Sequence, residues 1–181
     1  MWPLNKPPSS TDRHRRFYRL IHPHLPNLYR AAYRLTANQA DAEDLLQEAL
    51  LKAFIHMDSL REETNPSGWA YTIMKNIFLN QAPGKARAPS PMDTLEIQNR
   101  LPSPDPVPGD DVDSALSQGL TDALMAMPEE MRVILVAREV EGLSYQQIAE
   151  LMSLSLGTVK SRINRARERL RSIYIGEREN S

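Results

Sequence analysis

The most informative chemistry in this sequence lies in a basic segment near its C-terminal end. Between Thr158 and Ser172 the chain carries six basic residues and one acid. On a helix, at about 100° per residue, the apolar residues of this segment form one narrow stripe: Val159, Ile163, Ala166 and Leu170. The opposite side holds Ser161, Asn164, Arg165 and Glu168. The flanks hold five bases: Lys160, Arg162, Arg167, Arg169 and Arg171. Basic side chains neutralise DNA phosphates, and Ser, Asn and Arg side chains can read the edges of DNA bases. The segment therefore predicts a helix that binds duplex DNA.

The residues just before this segment predict the helix that would position it. Ser144 and Gln147 fit a capping box, with Ser at the N-cap and Gln three residues later. A short turn over residues 153–156 separates this helix from the basic one. Two helices joined by a short turn, the second of them basic, form a helix-turn-helix, whose second helix enters the major groove. We therefore predict such a module from about Asp113 to Tyr174, with a solvated basic surface helix as the alternative.

The N-terminal part of the chain is also predicted to be helical. Apolar residues recur at helical spacing in four stretches, and helices are expected over Arg13–Ile21, Leu28–Leu35, Asp41–Phe54 and Ser67–Leu79. A polar loop, Asp58–Pro66, precedes the last of these helices. No alternating pattern typical of a strand is present, so the predicted fold class is all-α.

A proline-rich, acidic segment separates the two helical parts. Residues 83–113 carry seven of the fourteen prolines, and six acids against three bases. This composition favours a flexible, extended linker over a packed core. We therefore predict a helical domain at 1–82, the linker at 83–113, a second helical domain at 114–176 and a tail at 177–181.

Composition excludes several classes of protein. The chain has 181 residues, 41% of them hydrophobic, and a formal net charge of −1, so any DNA-binding charge must be local. The absence of cysteine excludes disulfides and thiolate metal sites and favours a cytoplasmic protein. No apolar run is long enough to cross a bilayer, so we expect no membrane insertion. The four histidines form no metal-binding pattern and no catalytic constellation is visible. We expect neither a metal, nor a cofactor, nor an enzyme.

Two sets of motifs resemble a known family. Leu143–Glu150 followed by Gly157–Arg167 resembles the promoter-binding fourth region of bacterial sigma factors of the sigma-70 family, closest to the extracytoplasmic-function group. Asp41–Ala49 resembles the family's polymerase-binding helix, and Trp69–Asn80 resembles its melting and recognition helix. A helix-turn-helix alone is a common pattern, whereas both motif sets in this order across a linker are specific.

The resemblance implies roles for residues of the first domain. Docking on the clamp helices of the largest polymerase subunits is implied for Asp44, Gln47, Glu48, Leu50 and Phe54. Capture of single-stranded DNA from the downstream promoter element is implied for the loop Asp58–Ser67 and the helix after it. The candidate residues are Trp69, Tyr71, Asn76 and Asn80, and Arg61, Asn65 and Lys75 are added for their charge and position rather than for a match to the family. Trp69 and Tyr71 could stack on flipped bases, although a core position is an equally good interpretation of Trp69.

The resemblance also implies that the second domain binds the upstream promoter element as duplex DNA. The candidate residues are Thr158, Lys160, Ser161, Arg162, Asn164, Arg165 and Arg167. Ser161, Asn164 and Arg165 would read the edges of DNA bases, while the basic side chains on the flanks would hold the DNA backbone. The implied partners are core RNA polymerase, through its clamp helices and flap, promoter DNA and an anti-sigma protein. We expect a monomer when free, and promoter melting that needs no ATP.

Three positions depart from the family pattern. Gln81–Lys85 stands where a basic run is frequent, so the non-specific DNA affinity of the first domain is expected to be low. Asn80 stands where Asp is frequent, which leaves its base preference open. Ser153 stands where Gly is frequent in the turn, and a positive φ there would strain the backbone.

Two other functions stay open at this point. A sigma-like adaptor that binds only an anti-sigma protein would lose the outward basic residues of the last helix, and these are present. A free-standing helix-turn-helix repressor would bind its operator as a dimer without polymerase. The linker and the Asp41–Ala49 motif argue against the repressor.

Overall fold

The structure, a computed structural model, describes residues 10–60, 65–81 and 114–179. These ranges contain eight α-helices, 3-10 turns at His22–His24 and Met57–Ser59, and no strand. The N-terminal half consists of α1 (Ser10–Ile21), α2 (Leu25–Thr36), α3 (Gln39–Ile55) and α4 (Pro66–Gln81). The C-terminal half consists of α5 (Ser114–Met125), α6 (Glu129–Glu139), α7 (Tyr145–Met152) and α8 (Leu156–Glu179). The predicted all-α fold class is confirmed, and the predicted linker at 83–113 lies outside the described residues.

In the N-terminal half, local signals set the ends of the central helices. α2 ends at Ala37, whose φ of 55° is left-handed. Asn38 then caps α3, because its side-chain oxygen accepts a hydrogen bond from the Asp41 N–H at 3.1 Å. α3 packs against both α2 and α4. It buries the residues that recur at helical spacing: Ala42, Leu45, Leu46, Ala49, Leu50 and Ala53.

In the C-terminal half, caps and a short turn join α7 and α8, the two helices that are predicted to form a helix-turn-helix. The Ser144 hydroxyl accepts from the Gln147 N–H at 3.1 Å, and the Gln147 side chain accepts from the Ser144 N–H at 2.8 Å. α7 ends at Ser153, which has the positive φ, 53°, expected for that turn. The Ser155 hydroxyl accepts from the Thr158 N–H at 3.2 Å in the first turn of α8. α8 begins at Leu156, the last residue of the predicted turn.

Most buried apolar residues of both halves form one continuous hydrophobic cluster. α2 packs against α5 and α6, and α4 packs against α6. Leu28 and Leu35 from one half and Val133 and Ile134 from the other are almost completely buried. The two halves therefore meet directly through apolar faces. None of the described helices is long and apolar enough to span a membrane.

Candidate nucleic-acid interface

The outer face of α8 is an exposed polar surface that is predicted to contact duplex DNA. Val159, Ile163 and Ala166 are fully buried and anchor the helix from below. This anchoring leaves the predicted base-reading residues, Ser161, Asn164 and Arg165, exposed to solvent. The Arg165 guanidinium lies 3.4 Å from the Ser161 hydroxyl, one helical turn back, so these two side chains occupy adjacent positions on the same face.

Two of the flanking arginines are paired with acids of α6. Arg167 donates two hydrogen bonds to one carboxylate oxygen of Glu139, at 2.6 and 3.1 Å. This hydrogen bond to Glu139 is the main cause that raises the pKa of Arg167. Arg162 lies 3.8 Å from Glu130. Exposed pairs of this kind contribute about 0–1 kcal/mol, so a phosphate group could replace the carboxylate in either of them.

On α4, part of the predicted single-strand surface is exposed. Asn76 and Asn80 are four residues apart on one helical face, and both are exposed. Trp69, seven residues before Asn76, is half-buried and packs against the hydrophobic cluster. Asn65 caps α4, because its side-chain oxygen accepts from the Ser67 N–H at 3.1 Å and from the Gly68 N–H at 3.4 Å. Arg61 lies outside the described residues.

Helix α1 holds the chain where it enters the predicted base-capturing loop. Arg13 forms an ion pair with Asp58 at 3.2 Å and donates to the Ile55 carbonyl at 2.5 Å. Arg16 donates to the Leu60 carbonyl at 2.9 Å. These contacts fix residues 55–60, so the loop starts from a defined position beside α4.

Comparison with known proteins matches both helical parts to one family. Residues 20–87 match the model "Sigma-70 region 2", and residues 117–170 match "Sigma-70, region 4". The chain is 34% identical over 135 residues to the ECF RNA polymerase sigma-E factor of Haemophilus influenzae, a match that covers 71% of each chain. The chain belongs to the extracytoplasmic-function (ECF) group of the sigma-70 family. Members of this family are transcription initiation factors and not enzymes.

Other relatives and solved structures agree with this membership. The sigma factor is 40% identical to SigE of Mycolicibacterium smegmatis over 154 residues, which are 84% of this chain and 59% of SigE. It is 29% identical to SigW of Bacillus subtilis, over 80% of this chain and 81% of SigW. The sigma factor RpoE of Bartonella quintana, solved with the anti-sigma factor NepR, superposes with a TM-score of 0.65 at 29% identity. That superposition covers 87% of this chain and 95% of RpoE.

Two other residues of the predicted single-strand set face the C-terminal half of the sigma factor. Tyr71 is fully buried, and its hydroxyl donates to the Val133 carbonyl at 2.8 Å. Burial raises the pKa of Tyr71 well above its ordinary value. Lys75 is 9% exposed, and its ammonium group donates to the Leu151 carbonyl at 3.3 Å. Burial lowers the pKa of Lys75. In this arrangement neither side chain can reach a base.

The predicted polymerase-binding residues of the sigma factor also include both exposed and buried side chains. Asp44 is exposed, and Gln47 and Glu48 are half-buried. Glu48 is paired with Lys52 at 2.8 Å. Leu50 is only 5% exposed, because it shares the helical phase of the apolar residues that pack on α2 and α4. The Phe54 ring is half-buried and meets the rings of His14 and Phe17 of α1.

Sequence reasoning missed the charged residues that join the two halves. Arg132 donates to the Leu35 carbonyl of α2 at 2.5 Å, and its guanidinium lies 5.7 Å from the centre of the Phe78 ring. Glu141 accepts a hydrogen bond from the Ser67 hydroxyl. One signal was available for Arg132, which lies three and four positions before the buried Leu135 and Val136 and so shares their helical face. No comparable signal in the sequence points to Glu141.

Proposed function

We propose that this chain is a promoter-specificity subunit that directs core RNA polymerase to its promoters. One observation carries the proposal: both halves match the family, and each half exposes polar side chains at the positions that the resemblance assigns to promoter DNA. These exposed sets are Asn76 and Asn80 on α4, and Ser161, Asn164 and Arg165 on α8. In this proposal residues 1–82 and 114–176 act as separable domains joined by the linker, and the protein works in the cytoplasm.

The upstream promoter element would be bound as duplex by α8. The N-terminal part of this helix enters the major groove, where Asn and Arg side chains make two hydrogen bonds to adenine and guanine respectively. Thr158 and Lys160 lie in the first turns of α8, and Arg162 and Arg167 lie on its flanks. In this proposal these four residues contact the DNA backbone. Each phosphate contact adds to affinity and to its salt dependence without selecting a sequence.

The downstream element would be held as a single strand against α4. A flipped base exposes its hydrogen-bonding edge, which an amide side chain such as Asn76 or Asn80 can read. Capturing bases in this way offsets a few kcal/mol of unstacking, so melting would need no ATP. Asn65 would have a second role here, because the capping bond that it makes orders the end of the loop.

Docking on the clamp helices of polymerase would use the outward edge of α3. Asp44 with Gln47 and Glu48 gives an acidic, hydrogen-bonding edge, and Phe54 adds an apolar contact beside it. Leu50 would contribute only indirectly to docking, by packing against the hydrophobic core, since it is buried. The C-terminal half would contact the flap of polymerase, with the acidic linker between the two sites.

An anti-sigma protein is a further proposed partner. RpoE of Bartonella quintana, with 29% identity to this chain, was solved in complex with the anti-sigma factor NepR. A protein of this class would hold the free sigma factor by covering its polymerase-docking or DNA-facing surfaces. We expect the free chain to be a monomer.

Run-off transcription from a randomised promoter library tests the proposal. Purified core polymerase is assayed with this chain, without it, and with the variant Asn76→Ala, Asn80→Ala. We expect selective transcripts that need both core and this chain, and that the double variant loses. A chain that binds duplex DNA alone and never redirects polymerase would instead be a repressor. A chain that does neither would be an adaptor.

A further inference from the structure

The outer face of α1 carries exposed basic and aromatic side chains that neither half uses for packing. Arg15, Tyr18, Arg19 and His22 are separated by three or four residues, so they share one face of the helix and of the turn that follows it. All four side chains are exposed, and Tyr18 is 62% exposed. We call these four residues the α1 stripe.

The inner face of α1 holds the stripe beside the predicted single-strand site. Arg16 donates a hydrogen bond to the Leu60 carbonyl at 2.9 Å, and the Phe17 ring meets the Phe54 ring edge-on at 5.4 Å between centres. α1 also packs on α4. Because these contacts anchor the helix from its other side, the α1 stripe has a fixed position near Leu60, where the predicted base-capturing loop begins.

Positive charge in the N-terminal half is concentrated on α1. This helix has four arginines and one acid, Asp12, and it holds four of the eight Lys and Arg residues that the structure describes before residue 82. Arg13 is paired with Asp58. Neither Arg15 nor Arg19 has an acidic partner among the residues that the structure describes. Exposed arginines of this kind bind phosphates, and the release of counterions drives that binding.

The aromatic members of the stripe favour single-stranded nucleic acid over a membrane surface. The Tyr18 and His22 rings lie 4.2 Å apart between centres and are tilted by 30°. Exposed rings beside arginines are typical of single-strand sites, where rings stack on bases and cations meet the backbone. A helix that lies on a membrane exposes its apolar face instead. In α1 that face points inward, since Phe17 packs on the hydrophobic cluster and Ile21 is fully buried.

We propose that the α1 stripe binds the single strand of promoter DNA next to the segment held by α4. Arg15 and Arg19 lie about 6 Å apart along the helix axis and meet different phosphates, while Tyr18 stacks on a base. This surface supplies phosphate contacts that the segment Gln81–Lys85 lacks. The inference rests on the proposed function and adds a DNA contact outside α4 and α8.

The salt dependence of single-strand binding tests the two arginines. The holoenzyme of core polymerase with this chain is titrated with a fluorescent single-stranded oligonucleotide that carries the downstream element selected from the promoter library. Each lost phosphate contact lowers the slope of log affinity against log salt by about 0.7 for a single strand. The double variant Arg15→Gln, Arg19→Gln should therefore lower it by about 1.4, whereas Arg15→Lys, Arg19→Lys should keep the wild-type slope.

Two matched controls separate the stripe from general effects of charge and folding. Arg30→Gln removes one exposed charge from α2, outside the stripe, and should leave the slope unchanged. Tyr18→Ala should weaken binding at least about fivefold, while Tyr18→Phe keeps the stacking ring and wild-type affinity. A wild-type slope in the double glutamine variant, or an equal change per charge in Arg30→Gln, would overturn the proposal.

Photocrosslinking identifies what the stripe contacts. The chain has no cysteine, so Thr11→Cys can carry a photoactivatable label at a single site. Thr11 is exposed and lies one turn before Arg15 on the same face, so the label leaves the stripe intact. In a promoter complex we expect crosslinks to the DNA strand beside the downstream element, and none from Gln118→Cys on α5. Crosslinks from Thr11→Cys only to polymerase subunits would assign the stripe to a protein partner and overturn the proposal.

The outcomes also separate this inference from the proposed function. Selective transcription by the wild-type holoenzyme, with stripe variants that bind the single strand as the wild type does, would overturn the stripe alone. Failure of the wild-type chain to direct transcription would overturn the proposed function, and with it the role of the α1 stripe.

Discussion

The phenol of Tyr71 in α4 donates a 2.8 Å hydrogen bond to the main-chain carbonyl of Val133 in α6, and both residues are fully buried. A residue that the family resemblance assigns to promoter DNA thus ties the N-terminal half to the C-terminal half. Because both groups are withdrawn from water, loss of the bond is not compensated by solvent. The bond therefore helps to hold the two halves together in the free protein.

The variant Tyr71→Phe tests the strength of this tie. It keeps the ring in the hydrophobic cluster and removes only the hydroxyl, so the free energy of unfolding should fall by about 0.5–1.5 kcal/mol. In a chain of this size the melting temperature should fall by about 2–4 °C per kcal/mol. Thermal unfolding followed by circular dichroism measures the change. Tyr18→Phe is the matched control, because Tyr18 is 62% exposed. Equal melting temperatures for the two variants would contradict the role of the bond.

The carboxyl group of Glu141 should make the stability of the protein depend on pH. Burial raises its pKa above the ordinary value, against the opposing effects of the Ser67 hydrogen bond and the charge of Arg30. An acid whose pKa is raised on folding stabilises the fold fully below its unfolded pKa, and this stabilisation is lost as pH rises through the folded pKa. The folded protein thus favours the protonated form of Glu141.

The variant Glu141→Gln isolates this effect from the other carboxylates. The neutral amide has no charge to bury, so the variant should be more stable than the wild type at neutral pH. The difference should shrink as pH falls through the raised pKa towards the ordinary value, because the wild type then becomes neutral as well. Urea unfolding across this pH range gives both curves. A difference that stays constant with pH would refute the assignment.

Arg165 and Lys160 should affect promoter binding in different ways. If Arg165 makes two hydrogen bonds to a guanine, Arg165→Ala should remove about 1–3 kcal/mol of discrimination at one base pair. Lys160→Ala should instead weaken binding to all sequences and reduce the slope of log affinity against log salt by about 1. Competition between promoter variants at several salt concentrations separates the two effects. Unchanged base preference in Arg165→Ala would remove Arg165 from the base-reading set.

The left-handed turn at Ser153 should store a small amount of strain. A left-handed conformation costs a residue with a Cβ about 1–2 kcal/mol, and glycine avoids this cost. Glycine also loses more conformational entropy on folding, which offsets about 0.5–1 kcal/mol of the benefit. Ser153→Gly should therefore stabilise the protein by up to about 1.5 kcal/mol. Ala149→Gly, within α7 at ordinary helical angles, is the control and should destabilise by about 1 kcal/mol. A loss of stability in Ser153→Gly would show that the serine side chain contributes more than its strain costs.

Helix positions and the outward face of α8 were predictable because they depend on local rules. Each predicted helix is present, with ends that differ by a few residues. The period of 3.6 residues correctly separated the buried Val159, Ile163 and Ala166 from the exposed Ser161 and Asn164. The capping box at Ser144 was also predicted, since it involves atoms within a few residues of one another.

The fate of α4 shows what the sequence by itself did not determine. Its residues are apolar or amphipathic on more than one side, so helical spacing alone does not say which side meets a partner. Trp69 and Tyr71 were both candidates for stacking on DNA bases, and a core position was an equally good interpretation of Trp69 alone. The structure leaves Trp69 half-buried and Tyr71 fully buried. Leu50 on α3 is a parallel case, because neighbours on both sides of that helix bury it.

The sequence by itself determined the family, the helices and the chemistry of each exposed face, because motifs and periodicity are properties of short stretches. Only the tertiary structure decided that Ser67, Tyr71, Lys75 and Phe78 face groups far along the chain. The separations run from 54 positions, between Phe78 and Arg132, to 76 positions, between Lys75 and Leu151. Contacts at such separation depend on how two apolar surfaces fit together, and burial of that joint area outweighs the cost of leaving single charges incompletely paired.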